Sequence, residues 1–393
     1  MDDPGSAQPP EVPFGELFNE VPLFREIQRV LLAGSGPINW ELARQVGIAM
    51  ASWGRDDPAP TEDDRKGLED TVRAAELHVA ELTGLEPPPG IGSVEVCRRA
   101  QWVETAIQDL KEIVAPAAVR VADAFTKAQM GEVPAEAAQV AQGVLGQLSP
   151  LLLGAQAGTV LGSLAQKAFG NHDISAPRPA SGRLSFVAAN IAQFERDWSV
   201  QPMEFRAWVA LHEVVHRFQF ARPWAYPHLR SLVEDYVSTL EIDVDAIREQ
   251  LERLDPSDPE ALQGLLGEGS GLFGSTLDPD QRIKLERVQA FVAAVEGHGD
   301  HVTGALGRTM LSSSSRIEEA VARSREDDTD DPFFERLLGI EMKRDLHARG
   351  RTFCERVVEQ TDESTLSRMW GSAESLPSLP ELDEPTLWLS RIV

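Results

Sequence analysis

A largely buried helix is predicted by the stretch Phe205-Arg206-Ala207-Trp208-Val209-Ala210-Leu211-His212-Glu213-Val214-Val215-His216. Its apolar residues recur mostly at the three- and four-residue spacing of one helical face. Pro202 suits the first turn of such a helix, and Pro223 would stop it just beyond Phe220. We therefore expect a helix between two breakers, with the polar residues of the stretch inside the protein.

The polar residues of this helix have the His-Glu-x-x-His spacing of a metal hydrolase. Residues four apart lie on one helical face, so His212 and His216 can converge on one metal ion. Glu213, offset by one position, would reach a water molecule beside that ion and act as a general base. The alternative is a pair of histidines that only pack in the core, where they would need hydrogen-bond partners.

A catalytic zinc site usually has three protein ligands and one open position, so a third ligand is needed. Glu296 and Asp300 follow an apolar run and are four residues apart, which places them on one helical face. Their spacing resembles the gluzincin branch of zinc metallopeptidases. That resemblance implies Glu296 as the third ligand and Asp300 as the residue that orients a ligand histidine. The gap from His216 is longer than in simple gluzincins, which leaves His298 and His301 as competing ligands.

Two glycines in the same segment bear on this interpretation. Gly297 and Gly299 interrupt the predicted helix, and each costs about 1 kcal/mol relative to alanine. Glycines kept at such a cost usually mark a close approach of another group. They therefore argue against the alternative that Glu296 and Asp300 form a solvated acidic edge.

The residues quoted so far, with several other segments, resemble the zincin-like metallopeptidases. The further segments are Pro37-Ile38-Asn39-Trp40, Arg98-Arg99-Ala100-Gln101-Trp102-Val103, Gly154 to Gly162, Leu338-Gly339-Ile340-Glu341-x-Lys343 and Gly350-x-x-Phe353. Members of this family have been labelled hydrolases or proteins associated with deazaflavin coenzyme biosynthesis, and the second label reflects a genomic association. The resemblance implies a mainly α-helical protein with a zinc site, and it carries no substrate with it.

Composition favours a soluble enzyme of the cytoplasm. The chain has 393 residues and a net charge of −26, which argues against binding to nucleic acids or to anionic membranes. Its two cysteines, Cys97 and Cys354, are far apart and predict no disulfide framework. The acidic start Met1-Asp2-Asp3 lacks the basic and apolar regions of a secretory signal.

The predicted organisation is a flexible tail over residues 1–12, a helical N-terminal domain over residues 13–180 and a zincin-like metal domain over residues 181–393. Leu184 to Val187 is the one strand predicted, so little β structure is expected. Gly154, Gly158 and Gly162 form a close-packing face on a helix that is too short and too polar to favour a membrane span. We expect that helix to be buried. The oligomeric state is left open.

The predicted function is hydrolysis of an amide bond, most readily in a peptide, with Zn²⁺ as cofactor. Two other classes remain open: a zincin-like scaffold that binds a partner without turnover, and a hydrolase of small amides in cofactor metabolism. A narrow, closed cleft would favour a small substrate, whereas an open groove beside a strand edge would favour an extended peptide. Residues that could contact substrate or stabilise an oxyanion are His228, Tyr226, Tyr236, His298 and His301.

Overall fold

The computed structural model describes residues 36–88, 93–129, 150–151, 153–172, 183–240, 278–327 and 345–392. The described chain is mainly α-helical, as predicted. The predicted tail over residues 1–12 and the family-like motif over residues 338–343 lie outside the described residues.

The helices and strands are numbered here in chain order. The helices are α1 (Trp40–Ala51), α2 (Glu62–Thr83), α3 (Arg99–Gln129), α4 (Ala188–Asp197), α5 (Pro202–Phe220), α6 (Ala225–Thr239), α7 (Pro279–Met310), α8 (Ser314–Asp327), α9 (Leu346–Gln360), α10 (Glu363–Ser367), α11 (Leu379–Asp383) and α12 (Pro385–Ile392). The strands are β1 (Ser93–Cys97) and β2 (Arg183–Val187). A further helix over residues 153–165 is called the glycine helix.

The motif helix α5 has the bounds that its breakers predict. Pro202 lies in its first turn, and the side chain of the N-cap residue Gln201 accepts a hydrogen bond from the Glu204 backbone N–H. The helix ends at Phe220, three residues before Pro223. Every residue from Trp208 to Phe220 is buried, so the motif lies inside the protein.

The sheet has two parallel strands, whereas the sequence predicted only one strand. β2 lies where it was expected, and β1 pairs with it in a register that runs from Ser93 opposite Arg183 to Cys97 opposite Val187. The prediction of a single strand was wrong because the five residues of β1 gain their hydrogen bonds from a partner far away in the chain. Such long-range pairing leaves little local signal.

The glycine helix packs closely against α1, as predicted. A Cβ atom on Gly154 would lie 2.5 Å from the Asn39 carbonyl oxygen, and one on Gly158 would lie 2.5 Å from the Ala43 carbonyl oxygen. Glycine is therefore required where the two backbones meet. Among the described residues, no helix is long and apolar enough to cross a membrane.

The long helix α7 packs against α9 through a second pair of glycines. A Cβ atom on Gly297 would clash with the backbone of Gly350, and one on Gly350 would clash with the Ala293 carbonyl oxygen. The predicted close approach at Gly297 is thus present, and it brings α7 next to α9 while the opposite side of α7 faces α5.

The apolar core contains residues from both sides of the domain boundary that the sequence placed near residue 180. One cluster of buried side chains includes Trp102, Ala157, Tyr236, Phe291 and Phe353. The strands β1 and β2 also pair across that boundary. The division into two domains therefore stays a prediction.

Candidate metal centre

The helices α5 and α7 bring together two imidazoles and one carboxylate. Ligand atoms of His212, His216 and Glu296 all lie within 4.8 Å of one another, and the three side chains are buried. The His216 Nε2 atom lies 3.8 Å from the Glu296 Oε2 atom. Among the described residues, these three are the group of side chains placed closely enough to share a metal ion.

A glycine allows α7 to approach the second histidine. A Cβ atom on Gly299 would lie 3.0 Å from both Cε1 and Nε2 of His216. This distance is shorter than an ordinary van der Waals contact, so a larger residue at position 299 would push against the imidazole. The second glycine of the segment therefore also marks a close approach, here to a side chain of the site.

Gln219 fixes the orientation of His216. Its Oε1 atom is 2.8 Å from His216 Nδ1, and because an amide oxygen only accepts, the imidazole donates at Nδ1. The lone pair of His216 is then on Nε2, the atom nearest Glu296. Gln219 was not predicted, although its position three residues after His216 places it on the same side of the helix.

The same glutamine continues the hydrogen-bond network into α7. Gln219 Nε2 donates to the Val295 carbonyl oxygen and to His298 Nδ1, each at 3.0 Å. His298 therefore accepts at Nδ1 and has its proton on Nε2. Burial lowers the pKa of His298 to about 3, with the nearby His301 and His216 adding to the effect.

The donor set fits a zinc ion. Two histidines and one glutamate are one of the three-ligand sets found at catalytic zinc sites, which leave a position open. The orientation of His216 by an amide is the kind of support that such ligands receive from their surroundings. The residues present are thus compatible with the metal that the sequence motif predicts.

Glu213, also on α5, is fully buried. Its carboxylate accepts hydrogen bonds from the backbone N–H groups of Asn171 at 3.0 Å and His172 at 3.1 Å. His172 Nδ1 lies 3.0 Å from Glu213 Oε2, so this ring also donates to the carboxylate. A Cβ atom on Gly170 would clash with the Glu213 side chain.

His172 is thus a residue of the site that the sequence did not indicate. Its ring stacks on His216, with ring centroids 5.8 Å apart, and also on Phe220 at 5.9 Å. It lies forty residues before the motif in a segment without helical periodicity. Only its residue type, a histidine next to Gly170-Asn171, could have drawn attention to it.

The competing ligand His301 has a different neighbour in this structure. Its Nε2 atom lies 2.7 Å from Glu363 Oε1 on α10. His298 makes its contact with Gln219 and places its ring 5.2 Å from that of Trp370. Neither residue is in the group of three side chains that meets at the metal centre.

Asp300 is half-buried on α7, beside α9. Burial raises the pKa of the Cys354 thiol, and the charges of Glu363, Glu355 and Asp300 add to that effect. The role of Asp300 in orienting a ligand histidine stays a prediction.

The remaining predicted residues lie on α6 and outside the group formed by His212, His216 and Glu296. Tyr236 is buried in the apolar core. His228 is half-buried between Trp224 and Phe291, with ring centroids 6.3 Å and 6.0 Å away. Burial lowers the pKa of His228, while Glu374 opposes that effect. The hydroxyl group of Tyr226 is buried, and burial raises its pKa to about 12.

Comparisons with known proteins give a family match and a similar solved structure. A crystal structure from Chloroflexus aurantiacus, described as a "putative hydrolase with a novel fold", is similar with a TM-score of 0.67 and 28% sequence identity, over 90% of this chain and 98% of that one. A comparison with curated proteins gives no match. The family model of zincin-like metallopeptidases matches residues 38–389, nearly the whole chain. The chain therefore belongs to the zincin-like metallopeptidase family.

Proposed function

We propose that the protein is a zinc-dependent hydrolase that cleaves an amide bond of a peptide, with Glu213 as general base. The observation that carries the proposal is the convergence of His212, His216 and Glu296, whose ligand atoms lie within 4.8 Å of one another in a buried setting. Burial of such polar groups is costly unless they bind a partner, and a divalent cation satisfies all three.

These three residues would hold the zinc ion, and Gln219 would keep His216 in the tautomer that offers Nε2 as the ligand atom. A zinc ion bound by three protein ligands supplies an activated water at neutral pH and polarises a carbonyl group. The protein supplies the remaining proton chemistry. It also shields the reacting groups from bulk solvent, because the motif residues are buried.

Several contacts support a role for Glu213 in moving the proton. It follows His212 directly, so its carboxylate starts from the same helical turn as the proposed ligands. The backbone amides of Asn171 and His172 hold that carboxylate in position. We propose that Glu213 takes a proton from the attacking water and gives it to the leaving amine.

The experiment that tests the proposal combines metal analysis with a peptide-library assay on four proteins. These are the wild type, His216→Ala, Glu213→Gln and the control Glu286→Gln, in which the replaced glutamate is exposed on α7. We expect about one zinc per chain in all except His216→Ala. Glu213→Gln should keep its zinc and lose about 10²- to 10⁴-fold in kcat, because it removes the base but no ligand.

Three results would contradict the proposal or a part of it. A wild-type protein without zinc, even after zinc is supplied, would remove the metal centre. Zinc-loaded wild type without turnover of any peptide or amide would favour the alternative of a binding scaffold. Unchanged turnover in Glu213→Gln would leave the hydrolase but reject the role of Glu213.

A further inference from the structure

We infer that residues 169–172 close the edge of β2 beside the metal centre, and that the substrate is therefore a short amide and not the interior of an extended peptide. The inference rests on the proposed hydrolase function and narrows its substrate class. It concerns four residues, Phe169, Gly170, Asn171 and His172, which are called the edge segment.

The edge segment occupies the side of β2 that β1 leaves free. β2 pairs with β1 along one edge. On its other edge, the Val187 N–H donates to the Phe169 carbonyl oxygen at 2.8 Å, and Gly170 forms an antiparallel bridge with Phe186. Both edges of β2 are thus used by described residues.

The side chain of Asn171 makes the hydrogen bonds to β2 that the backbone of a neighbouring strand would otherwise make. Its Oδ1 atom accepts from the Ser185 N–H, and its Nδ2 atom donates to the Arg183 carbonyl oxygen, each at 3.1 Å. Alternate residues of a strand present their backbone groups to the same edge, so Arg183, Ser185 and Val187 face the edge segment together. These are the groups that a peptide would bind if it joined the sheet at this edge.

The edge segment lies between β2 and the catalytic carboxylate. One side of it binds β2 through Asn171, while its backbone amides at Asn171 and His172 bind Glu213. An extended peptide that added to β2 and presented an amide to Glu213 would have to occupy this same space. The segment therefore stands where the chain of a long substrate would run.

The edge segment is also anchored from outside the sheet. The Trp102 Nε1–H group on α3 donates to the Gly170 carbonyl oxygen at 2.8 Å. The Phe169 ring makes edge-to-face contacts with Phe194 and Phe205, at centroid distances of 5.1 Å and 5.2 Å. Displacing the segment would break these contacts together with its hydrogen bonds to β2 and Glu213. A short substrate needs no strand edge, so its binding does not require these contacts to break.

The test compares one scissile amide in two contexts, using the zinc-loaded full-length protein. The amide is presented first in a blocked dipeptide and then in the middle of a long peptide of the same flanking sequence. We expect kcat/KM for the dipeptide to exceed that for the long peptide by at least about tenfold. Equal values, or a higher value for the long peptide, would overturn the inference.

Two variants and a control test whether the edge segment is the cause. Asn171→Ala removes both hydrogen bonds to β2, and Asn171→Asp keeps the shape of the side chain but loses the donor to Arg183. Both should reduce the preference for the dipeptide by improving kcat/KM for the long peptide. Gln108→Ala removes an exposed amide on α3 and should leave the preference as in the wild type. A preference unchanged in folded Asn171 variants would contradict the inference.

A binding measurement separates failure of this inference from failure of the proposed function. Amide hydrogen exchange at Ser185 and Val187 should be slow in the wild type and unaffected by a saturating long peptide. In Asn171→Ala, exchange at Ser185 should become faster while Val187 stays protected by Phe169. If no substrate is turned over, the hydrolase proposal fails, and this measurement still decides whether the edge is closed. If binding of the long peptide to the wild type changes exchange at both Ser185 and Val187, the inference that this edge of β2 is closed is wrong.

Discussion

The two sides of the candidate site are built in different ways. On the metal side, made of His212, His216 and Glu296, side chains from two helices converge. On the base side, Glu213 is held by backbone N–H groups of a non-helical segment. Adjacent residues of α5 contribute to both sides, because consecutive residues point about 100° apart around a helix.

The difference has consequences for substitution. Each part of the metal side is a side chain, so a single replacement can remove it while the fold persists. The base side depends mainly on main-chain groups, whose position changes only if the chain that carries them moves, and the His172 ring adds one side-chain contact. We therefore expect replacements on the metal side to change metal affinity, and replacements around the base side to change the placement of Glu213 with the metal retained.

The largest effect that would separate the two sides is expected from His216→Ala. It should abolish stoichiometric zinc binding, because two ligands remain where a zinc site needs three. The amides of Asn171 and His172 should keep their slow hydrogen exchange, since they bind Glu213 and not the lost imidazole. The measurements are zinc content and amide exchange by mass spectrometry.

The matched control for this replacement is His78→Ala on α2, outside the site. It should keep the zinc content of the wild type. Full zinc occupancy in His216→Ala would mean that the metal side has been assigned to the wrong residues. Loss of protection at Asn171 and His172 would mean that the two sides are one cooperative unit.

The second-largest effect is expected at the backbone contact between α7 and α9, because α7 bears Glu296. Gly350→Val should destabilise the protein by about 2–3 kcal/mol, because its side chain would clash with the Ala293 carbonyl oxygen on α7. Since α7 also carries Glu296, zinc affinity should fall as well. Urea unfolding with and without zinc measures both changes.

Gly67→Val on α2 is the control for that measurement, because a Cβ atom there meets nothing within 4 Å. It should change stability by about 0.5 kcal/mol or less, in the stabilising direction, because valine has a higher helix propensity than glycine. If the Gly350 variant is as stable as this control, α7 and α9 can move apart at a small cost in free energy. The placement of Glu296 would then not depend on the contact between these two helices.

A smaller effect on the metal side is expected from Gln219→Leu. This replacement keeps the size of the side chain and removes the acceptor that orients His216. We expect zinc affinity to fall about 10- to 100-fold, as for other residues that orient metal ligands. A zinc competition assay measures the change, and an unchanged affinity would show that His216 is held in place by other contacts.

The sequence predicted the parts of the site that lie close together in the chain. The bounds of α5 follow from Pro202 and Pro223, and the spacing of His212 and His216 follows from helical geometry. The close approaches at Gly297 and Gly154 follow from the cost of glycine in a helix. Each of these signals is contained in one or two helical turns.

The parts that were missed depend on long-range contacts. β1 pairs with β2, which is far away in the chain, and His172 joins the site because α5 follows it by forty residues and packs against it. Gln219 was within reach of helical geometry, but its two partners on α7 are not visible from α5 alone. Glu296 was proposed from a family resemblance and not from residue spacing alone.

The smallest expected effect would sharpen the comparison from the base side. Trp102→Phe keeps an aromatic ring in the core and removes the N–H group that donates to the Gly170 carbonyl oxygen. The loss should cost about 1–2 kcal/mol of stability, because a buried carbonyl group loses its donor. Zinc content should remain at the wild-type value, since the Trp102 hydrogen bond goes to Gly170 and not to a proposed ligand. The value of kcat should fall with KM nearly unchanged, because the edge segment that positions Glu213 is less well fixed. Trp53→Phe, at an exposed tryptophan after α1, should change neither quantity. The opposite result would be that Trp102→Phe lowers zinc affinity as much as Gln219→Leu. A hydrogen bond to the segment that holds Glu213 would then determine how tightly zinc binds. The metal side and the base side would in that case not be separate parts of the site.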